Sequence, residues 1–443
     1  MSKERKVAES IPSSKVQRAA RFVKTGAKVG RNYVKHYAQK ITDKNLTQAD
    51  LDRANAEDIY DSLSELKGSA LKVAQMLSMS ENTLPAEYTE RFKMAQHSVP
   101  PLSYPLVVKT FRKEFDKSPT ELFETFTKEA VNAASIGQVH QATKDGKTLA
   151  VKVQYPGVAE SVRSDLQMVK PFARRLMRLN ESELNLYMKE VEDMLVAETD
   201  YRLELERSLR ITKAAAHLPD LVFPTYYPEY SSSRVLTMEW LEGMHLDDFM
   251  KANPSQEACD RIGQALWDFY DYQMHTLKEV HADPHPGNFL LRLDGTVGVI
   301  DFGCVKVIPQ DYYQQHFQVI DRALLNDDAR RREVFLGLQF ILEDDTPEQE
   351  AFFSAIFTQM LDLTTRPFEQ EIFDFGDKAY FAELNAFGEK IAQLEEFRNS
   401  TKARGSRHAM YLNRAYFGMY FMLHELKARV KTHSAWFDAP KTV

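Results

Sequence analysis

The residues best suited to chemistry lie in one stretch, His281-Ala-Asp283-Pro-His285-Pro-Gly-Asn288, followed by Val299-Ile-Asp301-Phe-Gly303. An aspartate, an asparagine five residues on, and a second aspartate after a short hairpin suit phosphoryl transfer. That reaction needs a carboxylate to orient the attacking oxygen or accept its proton, the role open to Asp283. It also needs oxygen ligands that hold Mg²⁺ against the β- and γ-phosphates, the role open to Asn288 and Asp301. Two other readings compete. Asp, Asn, Pro and Gly are common turn residues, and His281, Asp283 and His285 at i, i+2, i+4 would share one face of a strand as a metal cluster. Pro284 and Pro286 argue against a regular strand there.

The elements that must position these groups come next. Leu149-Ala-Val-Lys152-Val153 reads as a strand carrying one lysine in an apolar run. A lysine buried there needs a counter-charge, and Glu198-Thr-Asp200-Tyr-Arg-Leu-Glu204 offers three. A glycine-rich phosphate loop is expected upstream. Its GxGxxGxV frame falls on Asn132 to Val139 and keeps only Gly137, with alanines at 133 and 134, so the loop of ordinary protein kinases is not present. Residues 131–140 read as a small-residue turn and 233–241 as a strand. Residues 158–215 and 255–280 read as helical, as does everything after about 309. Asn288–Arg292 and Val297–Ile300 read as strands around an Asp294-Gly295 turn. Further upstream, 13–41 reads as a basic helix, 55–80 as a more apolar one and 103–116 as a third.

Composition bounds the rest. The 443 residues are 43% hydrophobic, 27% charged and 11% aromatic, which is globular and not disordered. Cys259 and Cys304 alone exclude a disulfide scaffold or a multi-cysteine metal site. Residues 1–44 carry twelve Lys/Arg against three Asp/Glu, net +9, leaving −16 on the other 399. A basic arm ahead of an acidic body disfavours nucleic acid as a partner and suits an anionic lipid surface. Neither a secretory signal nor a membrane span is read, so a cytoplasmic location with peripheral membrane attachment is expected.

The motifs together resemble the UbiB/AarF family of atypical protein-kinase-like proteins. Lys72-Val-Ala-Gln75, Ala133-Ala-Ser-Ile-Gly-Gln-Val139, Val151-Lys152, Glu198-Thr-Asp200, His281 to Asn288 and Asp301-Phe-Gly303 carry the resemblance. It implies an α+β, bilobal protein-kinase-like fold, with an N-terminal helical extension over the active site and extra C-terminal helices. The matching division is a basic arm at 1–44, the extension at 45–130, an N-lobe at 131–241, a C-lobe at 242–330 and C-terminal helices at 331–443. Carried over, Lys72 and Gln75 reach toward the nucleotide, Glu198 and Asp200 meet Lys72, and Glu204 pairs with Lys152. Ala133, Ala134 and Ser135, with Gly137 and Val139, form the nucleotide loop. Met238, Glu239 and Leu241 form the hinge that reads adenine, Asp283 is the catalytic-loop aspartate, and Asn288 and Asp301 hold Mg²⁺. One position departs from the pattern: Ala74 stands where the family has glycine, which favours the helix by up to ~1 kcal/mol but adds a methyl at a close-approach site.

The expected cofactors are ATP and Mg²⁺. The expected activity is ATP hydrolysis or phosphotransfer supporting isoprenoid quinone (coenzyme Q) biosynthesis or lipid handling. Partners would be anionic membrane lipid, isoprenoid quinone precursors or quinone-biosynthetic proteins; the alternative is a non-catalytic ATP-binding scaffold. Two features speak against a protein substrate. No Ala-Pro-Glu or long activation segment follows Asp301-Phe-Gly303, and His285 stands two after Asp283, where protein-phosphorylating enzymes usually carry lysine.

Overall fold

The computed structural model describes residues 15–40, 47–66, 102–133, 136–177, 181–394, 396, 404–406 and 408–438. It divides into two compact units. The first is Met1–Leu205, Thr225–Trp240 and Ile391–Thr401; the second is Glu206–Pro224, Leu241–Lys390 and Lys402–Val443.

In the first unit, α1 (Lys15–Lys40) and α2 (Gln48–Leu66) form the N-terminal pair. Thr47 caps α2, its backbone and hydroxyl both donating to the Asp50 carboxylate at 2.9 and 2.8 Å. The inward side of α1 carries buried Thr25 and His36, with Asn32 donating to Asp58 at 2.8 Å. The outward side carries exposed Val23, Lys24, Arg31, Val34 and Lys35. The periodicity placed the second helix at 55–80; it begins earlier, at Gln48, and residues 67–101 lie outside the described ones.

Next come α3 (Tyr104–Phe115), α4 (Pro119–Leu122), β1 (Thr125–Phe126), β2 (Asn132–Ala133), β3 (Gly137–Lys144) and β4 (Lys147–Gln154). Three helices follow, α5 (Val158–Met177), α6 (Glu181–Glu198) and α7 (Tyr201–Ala215), the last shared between the units. β6 (Val235–Glu239) completes an antiparallel sheet of order β1-β3-β4-β6, with β2 also on β3. The turn expected over 131–140 is instead largely strand among the described residues: β2 holds Asn132–Ala133, and β3 begins at Gly137.

Alternation along β4 decides what each face does. Leu149, Val151 and Val153 pack with Val107 and Phe111 of α3 and with Phe123, Ala142 and Val235 in the core of this unit. Ala150, Lys152 and Gln154 point to the other face and are also buried. On the core face of β3, Gln138 accepts from the backbone of Leu102 at 2.6 Å and lies 2.8 Å from His140 Nε2. Burial lowers the His140 pKa, so the ring is neutral. It donates from Nδ1 to the Thr127 carbonyl at 2.7 Å.

The second unit holds β5 (Leu221–Val222), α8 (Leu246–Lys251), α9 (Gln256–Tyr272), β7 (Glu279–His281), the hairpin β8 (Phe289–Leu291) and β9 (Val297–Val299), and β10 (Val305–Val307). Gly295, at φ +87°, makes the hairpin turn. β5 runs parallel to β9, and β7 pairs with β10. Further on lie α10 (Gln310–His316), α11 (Asp328–Gly337), α12 (Pro347–Thr365), β11 (Ile372–Asp374), α13 (Lys378–Gln393), α14 (Ala409–Leu426) and β12 (Arg429–Lys431).

Two expectations need correcting here. The helix expected over 255–280 ends at Tyr272. A π turn over Gln273–Leu277 follows, left-handed Lys278 stops it, and β7 begins. The region after 309 is also not all helical, because β11 and β12 pair with each other.

Candidate active site

The first unit builds a cation site. Lys152 lies on the inner face of β4, where its ammonium donates to both oxygens of Glu204 on α7, at 2.9 and 3.1 Å. The two side chains are 10% and 2% exposed. The ammonium also sits 5.0 Å over the Tyr201 ring, one turn before Glu204. Of the three carboxylates considered from sequence, the structure thus selects Glu204. Glu198 is buried at the end of α6. Asp200 caps α7, accepting from the backbone of Arg202 and Leu203 at 3.0 and 3.3 Å.

The register sets the upstream strands beside that lysine within the sheet: Val139 of β3 lies opposite Lys152, and Asn132 of β2 opposite Val139. Gly137 has a packing reason to be glycine. A Cβ there would lie 2.7 Å from the Tyr201 hydroxyl and 2.8 Å from the Val153 carbonyl oxygen. Ala133 is on β2, while Ala134, Ser135, Lys72, Ala74 and Gln75 lie outside the described residues. Met238 is buried at the end of β6. Glu239 accepts from the Thr225 amide at 3.1 Å, and the Trp240 amide donates to the Thr148 carbonyl at 3.0 Å. Leu241 opens the second unit's segment.

The second unit gathers the Asp–Asn–Asp set. Asn288 and Asp301 flank the β8–β9 hairpin: Phe289 pairs with Val299, and the Ile300 amide donates to the Asn288 carbonyl at 3.1 Å. Asp301 is thus one residue past the cross-strand neighbour of Asn288. The Asn288 side-chain amide donates to the Asp283 carbonyl at 2.8 Å. The Asp301 carboxylate accepts from the Gly303 amide at 2.9 Å. One amide oxygen and one carboxylate fit Mg²⁺, which takes one or two such protein ligands and completes its shell with phosphate and water.

Behind this set, Phe302 is fully buried against Phe269 and His281, and Cys304 is a buried small side chain. Arg207 donates to the Gly303 carbonyl at 3.2 Å. Arg210 grips Glu279 of β7 through two 2.5 Å bonds.

The three-residue metal cluster is overturned. Among the described residues no three His, Cys, Asp or Glu side chains gather to hold a metal. His281 is in β7, with Nδ1 3.2 Å from the Tyr270 hydroxyl and its amide donating to Gln273 at 2.8 Å. His285 Nδ1 accepts from the Gly287 amide at 2.9 Å. Pro284 and Pro286 break the strand periodicity that would align them. Burial, with the Asp283 carboxylate second, raises the Tyr270 pKa well above the ordinary tyrosine value, so it stays a neutral hydroxyl.

The motif reading missed one partner. Arg414, on α14, donates to Asp283 at 2.5 Å, with side chains 16% and 13% exposed. The one signal the sequence offers is that Arg414 directly precedes the apolar run Ala415–Leu423 of α14; nothing in that run names its partner.

With these two constellations in place, comparison with known proteins is decisive. The ABC1 atypical kinase-like domain matches residues 94–335, more than half of the chain. The chain belongs to this family. Relatives named for the AarF domain and for COQ8 mark it as the UbiB/AarF family. A probable serine/threonine-protein kinase, abkA, of Dictyostelium discoideum is 25% identical over 95% of this chain and 78% of its own length. The rat atypical kinase COQ8B, a mitochondrial protein, is 29% identical over 85% of this chain and 71% of its own. Three other relatives named for the AarF domain are longer, and the chain spans 48% to 59% of them. A Mycobacterium tuberculosis structure of Rv3197 with erythromycin superposes with a TM-score of 0.59 at 27% identity, covering 88% of this chain and 96% of that one. The fold is therefore kinase-like and α+β.

Proposed function

We propose that the chain binds ATP with Mg²⁺ and hydrolyses it, or transfers its γ-phosphoryl group, in support of isoprenoid quinone (coenzyme Q) metabolism or lipid handling at a membrane surface. The observation that carries this is the convergence of Asn288 and Asp301 on one hairpin end, with the Asn288 amide bonded to the backbone of Asp283. Lys152, held by Glu204, binds the α- and β-phosphates. Asp283 orients the attacking oxygen and takes its proton. Asn288 and Asp301 would hold Mg²⁺, which neutralises charge on the β- and γ-phosphates when bound. The backbone of Ala133 to Val139 covers the phosphates, and that of Met238, Glu239 and Leu241 reads adenine. Lys72 and Gln75, with Glu198 and Asp200, restrict access to the nucleotide.

The acceptor is water or a small or lipid-like molecule. Only six residues, 304–309, separate Gly303 from α10, three of them in β10, a segment too short to serve as the peptide platform of a protein kinase. The quinone link rests on relatives such as the COQ8B kinase. Membrane attachment is supported by α1, whose outward side combines Val23 and Val34, 74% and 72% exposed, with Lys24, Arg31 and Lys35. No helix among the described residues is long and apolar enough to cross a membrane.

A non-catalytic ATP-binding scaffold is the second reading, favoured by the alanines at 133 and 134. Both readings require nucleotide binding. Mg²⁺-ATP should raise the melting temperature of the wild-type protein, and D301N and K152M should abolish the rise. An undiminished rise in both variants refutes the assignment of the site.

A further inference from the structure

The catalytic loop meets the C-terminal helix at two points one turn apart. Arg414 reaches Asp283 at 2.5 Å, and both side chains are largely withdrawn from water. Gly418 then lies against Pro284 so closely that a Cβ would fall 2.2 Å from the proline Cγ. On the same side of α14, the ring of Tyr411 receives the Lys306 ammonium 4.6 Å above it, and Lys306 is on β10, just past the Asp301-Phe-Gly303 turn. Tyr411, Arg414 and Gly418, at i, i+3 and i+7, form one stripe of the helix. That stripe touches both the loop bearing Asp283 and the strand after Asp301.

An arginine at the head of the apolar run Ala415–Leu423, bonded to a carboxylate of a loop that a glycine one turn on lets come close, is not ordinary core filling. A charge-assisted bond between groups shielded from water restricts the carboxylate far more than a surface pair does. The loop itself carries His285 two residues after Asp283, where protein-phosphorylating enzymes carry lysine, and His285 is turned to the Gly287 amide. The nearby cation comes instead from more than a hundred residues downstream.

We infer that Arg414 is a positioning residue for phosphoryl transfer, holding the Asp283 carboxylate in the orientation in which it meets the attacking oxygen. This rests on the reading of Asp283 given above. In the step it serves, the oxygen of water or of an acceptor hydroxyl bonds to the γ-phosphorus as the bond to the bridging oxygen breaks. ADP leaves with that electron pair, and the acceptor proton passes to Asp283. A misplacement of about 1 Å in such a group costs on the order of a hundredfold in rate.

The experiment uses the full chain and Mg²⁺-ATP, measuring phosphate release and nucleotide affinity for wild type, R414Q, R414K, D283N, D283N/R414Q and D301N, each with its melting temperature. The expected result is a kcat loss of at least about tenfold in R414Q, with Mg²⁺-ATP affinity within about threefold of wild type. R414K should recover at least about threefold over R414Q, and the double variant should be no slower than D283N. R414Q at or above the wild-type rate overturns the inference, as does R414K no better than R414Q, or a double variant slower than D283N by the full R414Q factor. Should R414Q fail to fold, the comparison of D283N with D283N/R414Q decides, since no carboxylate is then left unpaired. A wild type as silent as D301N refutes the turnover reading itself, and this inference with it.

Discussion

Glu204→Gln keeps the shape of the Lys152 site and removes its carboxylate charge. The two side chains are 10% and 2% exposed, and the ammonium is bonded to both oxygens. Removing one member of a pair this deeply buried costs about 3–5 kcal/mol, because the remaining charge has lost both water and its partner. At about 2–4 °C per kcal/mol for a unit of this size, the melting temperature should fall by roughly 6–20 °C. Lys152→Met should cost a similar amount by leaving Glu204 buried. The double variant K152M/E204L should regain most of the loss, since replacing a buried pair by apolar side chains of similar volume is about neutral. The assay is thermal unfolding by circular dichroism, without nucleotide and with Mg²⁺-ATP. At a hundred times Kd, the ligand should add about 2.7 kcal/mol to the wild type and nothing to the double variant. This would separate the pair's functional role from any need of the fold. An E204Q protein melting within about 2 °C of wild type refutes the buried-pair reasoning, as does a double variant as unstable as the two single losses together.

Other consequences follow from the same packing. Gly418→Ala places a methyl in the body of Pro284 and should cost about 1–3 kcal/mol through overpacking; thermal unfolding checks this, and an unchanged melting temperature counts against the contact. Burial depresses the pKa of His316 to about 4 and of His275 to about 3, both below the value of 6.5 expected when unfolded. The unfolded chain therefore binds more protons between pH 6.5 and 4, and these two histidines make stability fall with acidification. Their contribution is at most about 1.4 kcal/mol per pH unit each. Urea titrations of wild type and His316→Leu across that range should show a shallower slope in the variant. Reversing Lys24, Arg31 and Lys35 to glutamate, all outward on α1, should release the protein from anionic liposomes. Raising salt should do the same to the wild type, and retention unchanged by the reversal excludes α1 as the lipid contact.

How much was legible depended on how local each signal was. The apolar run 149–153 showed a strand with a lysine in it, and Asp294-Gly295 showed the hairpin. Both depend on neighbours within a few residues. The choice of Glu204 over Glu198 and Asp200 came only from how α7 lies along the inner face of β4, which periodicity does not encode. Asp200 turned out to cap a helix. Gly137 looked like the remnant of a phosphate loop, yet the Tyr201 hydroxyl and Val153 carbonyl already demand a glycine there. The stop at Lys278 was hidden because Gln273–Leu277 keeps a helix-like composition, while a single left-handed residue ends it. β11 and β12 are three residues each, too short for alternation to register. Arg414 was out of reach for a motif search because its partner is 131 positions away.

The central claim is turnover at the Asp283, Asn288 and Asp301 set, and phosphate release from Mg²⁺-ATP, with and without anionic liposomes, tests it most directly. The account predicts release that requires Mg²⁺, rises with liposomes, falls to background in D301N, and falls steeply in D283N to a residual rate still above that background. Release that persists undiminished in both variants, or none from a wild type that still binds Mg²⁺-ATP, contradicts it; the latter result makes the protein an ATP-binding scaffold.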